Sequence, residues 1–306
     1  MLGKSLFGQE GCSMGYGRME RAVLVVLGLA LLVGQFGCAQ GGTQQTAAAL
    51  NVTVSILPQR YIVERIGGEH VDVNVMVLPG ESPATYEPNP EQLRALSEAD
   101  LYCSIGVPFE NAWLNRIGSA NDDMVMVDTT QGIERIEEGG NPDPHIWLSP
   151  SLVRVQAATV AEALTSADPA HAEAYEENLG AFLDDIGELD AEIRETLDGE
   201  GSANREGRRF MVFHPSWRYF ARDYRLEMIA IEVGGQEPSA AELARLITTA
   251  KEEEIRVIFA QPEFSTEAAE TIADEIGGEV LLISPLAEDW LENLRRVAET
   301  FAQHLE

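Results

Sequence analysis

The chain has 306 residues, 45% of them hydrophobic, and a formal net charge of −30 at pH 7. This length and hydrophobic content suffice for one large domain or two medium domains with real cores. The charge argues against nucleic acid as a partner, because the phosphate backbone would be repelled. Only Lys4 and Lys251 are lysines. We interpret the acidic balance as a surface suited to a salty habitat rather than a device for cation capture.

The N-terminus has the pattern of a secretory signal peptide. Arg18 and Arg21 precede an apolar run from Ala22 to Val33, which is too short to span a bilayer comfortably. A glycine directly before Cys38 resembles a bacterial lipoprotein cleavage site, at which Cys38 would carry the lipid. We therefore predict a signal peptide over residues 1–38.

One feature of the cleavage site leaves an alternative open. Gln35 stands where lipoproteins usually have leucine, three residues before the cysteine. An ordinary secreted protein or an uncleaved anchor is the alternative to lipidation. Residues 39–49 are rich in Gln, Gly, Thr and Ala, which is typical of a flexible tether.

The cysteine count excludes two classes of site. Cys12 falls in the predicted leader, so Cys103 is the only cysteine in the body of the mature chain. Its apolar neighbours predict a buried structural thiol. Neither a disulfide framework nor a cysteine metal cluster is possible.

The first half of the mature chain alternates predicted strands with helices. Asn89-Pro90-Glu91-Gln92 predicts the start of a helix. Asn89 is the N-cap, Pro90 takes the first helical position, and Gln92 bonds back to the cap residue as in a capping box. The predicted strands are Val52 to Leu57, Val71 to Leu78, Leu101 to Ile105 and Met124 to Val127, the other early helix is Gln59 to Ile66, and a turn-rich segment runs from Pro79 to Pro90. This order implies a parallel sheet with helices on both faces.

The longest predicted helix begins at Asp168-Pro169, after another that Ser149-Pro150 opens. Apolar residues recur along it at spacings of three and four, which predicts one buried stripe on an otherwise acidic helix. They are Tyr175, Leu179, Phe182, Ile186, Leu189, Ile193 and Leu197. About thirty residues of helix correspond to a length of about 45 Å.

A second series of strands and helices follows a polar, Gly-containing loop. Ser239-Ala240-Ala241-Glu242 is a capping box that opens a helix to about Glu253. The predicted strands are Phe210 to Phe213, Met228 to Glu232, Val257 to Ala260 and Val280 to Ile283, and the other helices are Trp217 to Tyr224, Ser265 to Ile276 and one from about Trp290.

These patterns predict an α/β fold of two Rossmann-like lobes, each a mostly parallel sheet with flanking helices. The N-terminal lobe is predicted over residues 50–166 and the C-terminal lobe over residues 205–306. One long backbone helix, within residues 167–200, joins them.

Two histidines are the candidate binding residues. His145 lies in Asp-Pro-His-Ile-Trp and His214 in Phe-His-Pro-Ser-Trp. Histidine is the commonest neutral metal ligand, and a loop braced by proline suits a preformed binding point. If both loops face one cleft, the chain has a metal site shared between its two halves. The alternative is that each histidine only bonds a backbone carbonyl. His70, predicted to be exposed, His171 and His304 are not expected to be ligands.

Six segments, in this order, resemble the metal-binding solute-binding proteins of bacterial ABC transporters, the zinc and manganese uptake group. They are Ser55-Ile56-Leu57-Pro58, Pro79 to Pro88 (Pro-Gly-Glu-Ser-Pro-Ala-Thr-Tyr-Glu-Pro), Asp143 to Leu148 (Asp-Pro-His-Ile-Trp-Leu), Phe213 to Trp217, Gln261 to Ser265 (Gln-Pro-Glu-Phe-Ser) and Ser284-Pro285-Leu286. The resemblance runs from about Val52 to about Leu294, nearly the whole mature chain.

The resemblance implies a metal ion bound between two lobes by four side chains, two from each lobe. His145 matches the second ligand of the N-terminal lobe, and His214 the first ligand of the C-terminal lobe. The other two positions depart from the family, which usually has histidine where this chain has Ala84 and aspartate where it has Ser284.

The departures raise the question of what completes the metal shell, since zinc normally takes four ligands or three plus water. Glu263, Glu87 and Asp289 are the candidate replacements, and the Ser284 hydroxyl is a poorer donor. A carboxylate with two histidines would hold zinc, manganese or iron. The metal could alternatively hold a small anionic or chelating ligand.

We therefore expect a solute-binding protein that captures a divalent metal (zinc, manganese or iron, with zinc and manganese favoured) and delivers it to an ABC permease, with no organic cofactor. It is expected as a lipid-tethered monomer in the periplasm or on the outer face of the cytoplasmic membrane, and as secreted if Cys38 is unmodified. We find no usable enzyme motif. The one Gly-x-Ser-x-Gly pattern, which is typical of a hydrolase nucleophile, lies in the predicted leader. An adhesin or interaction protein, or a binder of a non-metal solute, is the alternative.

Overall fold

The computed structural model describes residues 49–138, 140–198 and 208–305. The predicted signal peptide and its Cys38 lie outside these residues. Within them, no helix combines the length and the apolar character that a membrane crossing requires. The described chain contains two four-stranded parallel sheets, which form the cores of an N-terminal and a C-terminal lobe.

The N-terminal lobe has the strand order β2-β1-β3-β4. Its strands are β1 (Leu50–Val54), β2 (Val71–Val75), β3 (Leu101–Ser104) and β4 (Val125–Asp128), and its helices are α1 (Leu57–Gly67), α2 (Pro90–Ser97), α3 (Pro108–Gly118) and α4 (Pro150–Ala167). Val54 of β1 pairs with Val75 of β2 and with Cys103 of β3. Cys103 is buried, as predicted, and burial raises the pKa of its thiol to about 12.

The C-terminal lobe repeats this plan with the order β10-β9-β7-β8. Its strands are β7 (Arg208–Val212), β8 (Leu226–Ala230), β9 (Val257–Ala260) and β10 (Glu279–Leu282), and its helices are α6 (Arg218–Asp223), α7 (Ala240–Glu252), α8 (Glu267–Ile276) and α9 (Trp290–His304). A short antiparallel hairpin, β5 (Glu137–Glu138) with β6 (Asn141–Pro142), precedes α4.

One long helix, α5 (Ala172–Asp198), joins the lobes. Its 27 residues correspond to about 40 Å at 1.5 Å per residue. The predicted stripe is buried, apart from the partly exposed Leu179. The helix packs against α1 and α4 of the N-terminal lobe and against α9 of the C-terminal lobe, so one rigid element supports both sheets. The two-lobe α/β fold is thereby confirmed, while the lobe boundaries at residues 166 and 205 stay predictions.

Several elements differ from the prediction. The second strand, predicted to Leu78, ends at Val75, and the long helix begins at Ala172 rather than at Asp168-Pro169. The first strand ends at Val54 because the helix that contains Pro58 begins at Leu57. The strand predicted from Met228 begins two residues earlier, at Leu226. Helix α3 was not predicted, although Pro108 at its first turn is a start signal.

Candidate metal centre

His145 and His214 meet in the cleft between the lobes. Their Nε2 atoms are 3.2 Å apart, and the ring centroids are 5.1 Å apart at an interplanar angle of 69°. The two side chains retain only 15% and 20% of their accessible surface. Sequence reasoning expected the two loops to face one cleft, and the structure brings them into direct contact.

His214 is held from three sides at the carboxyl end of β7. Its backbone N–H donates to Gln261 Oε1 at 3.0 Å, and Gln261 Nε2 donates back to the His214 carbonyl at 2.6 Å. Phe264 stacks on the imidazole with centroids 4.7 Å apart. Glu232, directly after β8, places Oε2 2.9 Å from His214 Nδ1. These contacts fix the position and rotation of the ring.

His145 is held by a carboxylate two residues earlier in the chain. Asp143 Oδ1 lies 2.7 Å from His145 Nδ1 and accepts the His145 backbone N–H at 2.9 Å. Asp143 is almost fully buried, and Arg218 Nε lies 3.5 Å from its second oxygen. The compact turn explains why the Asp-Pro-His spacing is suited to orienting an imidazole.

The two carboxylates decide which nitrogen of each ring can bind a cation. A carboxylate accepts a hydrogen bond from the Nδ1–H group, so the tautomer of each neutral ring leaves Nε2 as the acceptor. Two such lone pairs that face each other at 3.2 Å repel unless a cation lies between them. A tetrahedral metal with zinc–nitrogen distances of about 2.0–2.1 Å separates two ligand nitrogens by about 3.3 Å. The spacing therefore fits two ligands of one metal ion.

The segment that carries His145 is bonded to the C-terminal lobe. Trp147 Nε1 donates to the Pro285 carbonyl at 2.7 Å, and Trp290 Nε1 donates to the Trp147 carbonyl at 2.6 Å. Tyr219 Oη donates to the Asp143 carbonyl at 2.9 Å. His145 follows the N-terminal sheet in the chain, but these bonds tie it to the same lobe as His214.

Glu263 and Ser284, two of the weaker candidates, contact each other, and Glu263 lines the same cavity as the histidines. Ser284 Oγ donates to Glu263 Oε1 at 3.3 Å. Among the described residues, the second oxygen of Glu263 has no hydrogen-bond partner although it is buried. Burial raises the pKa of the Glu263 carboxyl above its ordinary value, while hydrogen bonds from its own backbone N–H and from the Ser284 hydroxyl act in the opposite direction. An unpaired, buried carboxylate oxygen is suited to a cation.

Both histidines and Glu263 line one cavity of about 160 Å³. Ala84 lies on its wall, together with apolar residues that include Pro83, Val107, Trp147, Phe264 and Leu286. Across the described ranges, no group of three or more His, Cys, Asp or Glu side chains is arranged to hold a metal. The histidine pair is therefore a two-donor centre, and Glu263 is the carboxylate on the wall of its cavity.

The remaining candidates lie elsewhere. Glu87 is exposed and does not line the cavity. Asp289 caps α9, where its carboxylate accepts the Glu292 N–H at 3.4 Å. His70, predicted to be exposed, is half-buried and stacks on His171 with centroids 3.8 Å apart. His304 lies 3.9 Å from Glu279.

Sequence reasoning missed the two carboxylates that orient the imidazoles. Asp143 carried a usable signal, because it stands two residues before His145 in the same motif. Glu232 carried none, since only the parallel pairing of β7 with β8 brings its strand end beside His214.

The chain is similar to proteins of metal uptake. The model of the family described as "ZnuA: Zinc-uptake complex component A periplasmic" matches residues 52–304. A crystal structure of ZnuA superposes with a TM-score of 0.80 at 49% identity, covering 84% of this chain and 99% of that one.

Two further relatives carry other descriptions. The manganese-binding lipoprotein MntA of Halalkalibacterium halodurans is 26% identical over 294 residues, which are 92% of this chain and 97% of MntA. The laminin-binding protein Lmb of Streptococcus agalactiae, described as a bifunctional protein with adhesin and metal-transporting activity, is 25% identical with a TM-score of 0.75. The match covers 84% of this chain and all of Lmb.

Proposed function

The chain belongs to the zinc-uptake complex component A family, and from this membership we propose that it captures a divalent metal ion outside the cytoplasm and delivers it to an ABC permease. The observation that carries the proposal is the 3.2 Å approach of His145 Nε2 to His214 Nε2, with each Nδ1 held by a carboxylate. Such an arrangement presents two preoriented, neutral nitrogen donors to one cation.

Glu263 is the third donor in this proposal. Its side chain lines the same cavity, and its buried second oxygen has no hydrogen-bond partner among the described residues. Two imidazoles and one carboxylate form a donor set that zinc accepts, with a fourth donor from solvent or a small molecule. Ser284 then acts through its hydrogen bond to Glu263 Oε1 and not as a ligand itself.

Zinc or manganese is the proposed cargo. Nitrogen with oxygen donors suits several first-row ions, so availability contributes to the choice between them. The metal is a transported substrate, and the protein carries out no reaction in this proposal. Binding selects one arrangement of the cleft, and the permease recognises that arrangement.

We place the protein at the outer face of the cytoplasmic membrane or in the periplasm, as a monomer held by a lipid on Cys38. The relative MntA is described as a lipoprotein, and the glycine before Cys38 supports the same modification here. Secretion in soluble form is the alternative if Cys38 is not modified.

The adhesive alternative is supported only by the description of Lmb, which combines adhesion with metal transport. Because one relative is described with both activities, adhesion does not compete with metal capture. The loss of family ligands at Ala84 and Ser284 does not favour adhesion, since Glu263 supplies a carboxylate to the same cavity.

Isothermal titration calorimetry of metal-stripped protein tests the proposal. We expect one equivalent of zinc or manganese to bind, with affinity at least about tenfold lower in His145→Ala and in His214→Ala, because each change removes a donor. The matched control is His304→Ala, a histidine outside the cleft, which should bind like the unchanged protein. Absence of binding heat with zinc, manganese, iron and cobalt would remove metal capture from consideration.

A further inference from the structure

We propose that the cleft binds its metal together with a small chelating molecule, a monoanion with an apolar body of the α-amino-acid class. The inference rests on the proposed metal site and specifies what fills the rest of its cavity. Two properties of the cleft carry it: the number of donors that the side chains supply, and the apolar character of the wall that faces them.

The donor count leaves part of the metal shell to a molecule from outside the protein. Each imidazole can offer only Nε2, because Asp143 and Glu232 hold the Nδ1 atoms of His145 and His214. Glu263 is the carboxylate on the wall of the cavity. These side chains supply two or three donors, while zinc takes four and expands to five. One to three donors must therefore come from elsewhere.

The wall of the cavity beside the histidines offers water few polar partners. A bound water needs two to four of them. The cavity measures about 160 Å³, and the methyl group of Ala84, the Val107 side chain, the Phe264 ring and the Leu286 side chain lie on its wall. None of these four side chains can bond to water. A carbon skeleton would fill this volume with favourable apolar contacts.

Charge favours a chelator with few negative charges. The Glu263 carboxylate lines the cavity, and the Asp143 and Glu232 carboxylates hold the two rings, with Arg218 beside Asp143. A dianionic chelator would add one more negative charge to these carboxylates than a monoanionic chelator does, which is costly. The amino nitrogen and carboxylate of an α-amino acid close a five-membered ring on the metal and together carry one negative charge.

Equilibrium dialysis with labelled L-leucine, performed on zinc-loaded and metal-free protein, tests this inference. We expect about one leucine retained per bound zinc and at least tenfold less on metal-free protein. N-acetyl-leucine, whose acylated nitrogen does not coordinate, should not be retained. Glycine, which lacks the apolar body, should be retained more weakly than leucine.

Two variants locate the binding point. Ala84→Leu adds bulk at the wall of the cavity, so leucine retention per bound zinc should fall at least tenfold. Ala191→Leu, the same change at an exposed position of α5, should leave retention unchanged. Equal retention by Ala84→Leu and the unchanged protein would overturn the placement.

The outcomes separate this inference from the proposed function. Zinc bound with no leucine retained overturns the chelate and leaves metal capture standing. Failure to bind zinc at all overturns both. Leucine retained equally with and without zinc overturns the metal-bridged arrangement in favour of a simple amino-acid site.

Discussion

The indole nitrogen of Trp147 donates a hydrogen bond of 2.7 Å to the carbonyl of Pro285, 138 residues further along the chain. Trp147 follows His145 by two residues, and Pro285 belongs to the C-terminal lobe. The bond therefore holds the His145 segment against the lobe that carries His214. We infer that the histidine pair moves as one unit and is positioned before metal arrives.

Trp147→Phe tests this anchoring. The change keeps an aromatic ring but removes the N–H, which leaves a buried carbonyl without its partner and a small cavity. We expect a loss of about 2–3 kcal/mol in the free energy of unfolding and a drop of about tenfold in zinc affinity. Denaturant melts and calorimetry measure the two effects.

The matched control is Trp113→Phe on α3, where the indole is half-buried and contacts Arg116. It should leave zinc affinity unchanged. Equal affinity in Trp147→Phe and Trp113→Phe would show that the anchor does not position His145.

Glu232→Gln tests the orientation of His214. Glutamine can still accept from Nδ1, but it lacks the charge that makes Nε2 more basic, so zinc affinity should fall about tenfold. Competition against a zinc-binding dye gives the affinity. Glu237→Gln, an exposed position five residues away, is the control, and a comparable loss there would attribute the effect to general charge.

Glu263→Gln separates binding from stability. Burial raises the pKa of Glu263, so the folded protein holds this proton more tightly than the unfolded chain does. The ionised carboxylate therefore destabilises the folded state at neutral pH. This destabilisation disappears as the pH falls below the ordinary pKa of a glutamate carboxyl. We expect Glu263→Gln to raise the melting temperature of the metal-free protein at pH 7 and to leave it unchanged near pH 3.

The same substitution should weaken metal binding, since a ligand carboxylate must be ionised. Zinc affinity at pH 7 should fall at least about tenfold in Glu263→Gln. The decrease of zinc affinity as the pH is lowered should also become less steep, because one titrating donor is gone. Unaltered affinity and an unaltered pH profile would remove Glu263 from the site.

Ala84→His tests the departure from the family pattern. Ala84 lines the cavity that the two Nε2 atoms face, and an imidazole there adds a nitrogen donor. We expect zinc affinity to rise at least about tenfold, measured by dye competition, and leucine retention to fall. An affinity equal to that of the unchanged protein would mean that this loop lies too far from the metal.

The long helix could be predicted because its apolar stripe from Tyr175 to Leu197 keeps the helical spacing of three and four through most of the 27-residue helix. Strand and helix ends were less accurate, since proline and capping residues shift them by a few positions. Helix α3 was missed because only Pro108 marks its start. Its buried Glu110 accepts hydrogen bonds from the backbone of Ile105 and Gly106, and these contacts are visible only in the folded chain.

At the candidate metal centre, the sequence predicted which histidines share a cleft but not how they are held there. The motifs around His145 and His214 consist of neighbouring residues, so they can be recognised in the sequence. Glu232 and Pro285 act through contacts between segments distant in sequence, and only the folded chain brings them together.

The most direct test of the account is X-ray absorption spectroscopy of the zinc-loaded protein, which counts the imidazoles bound to the metal. We predict two imidazoles at about 2.0–2.1 Å, with oxygen completing the shell, and one imidazole in His214→Ala. A spectrum without two imidazoles, or an imidazole count that His214→Ala leaves unchanged, would contradict the central claim that His145 and His214 hold one metal ion.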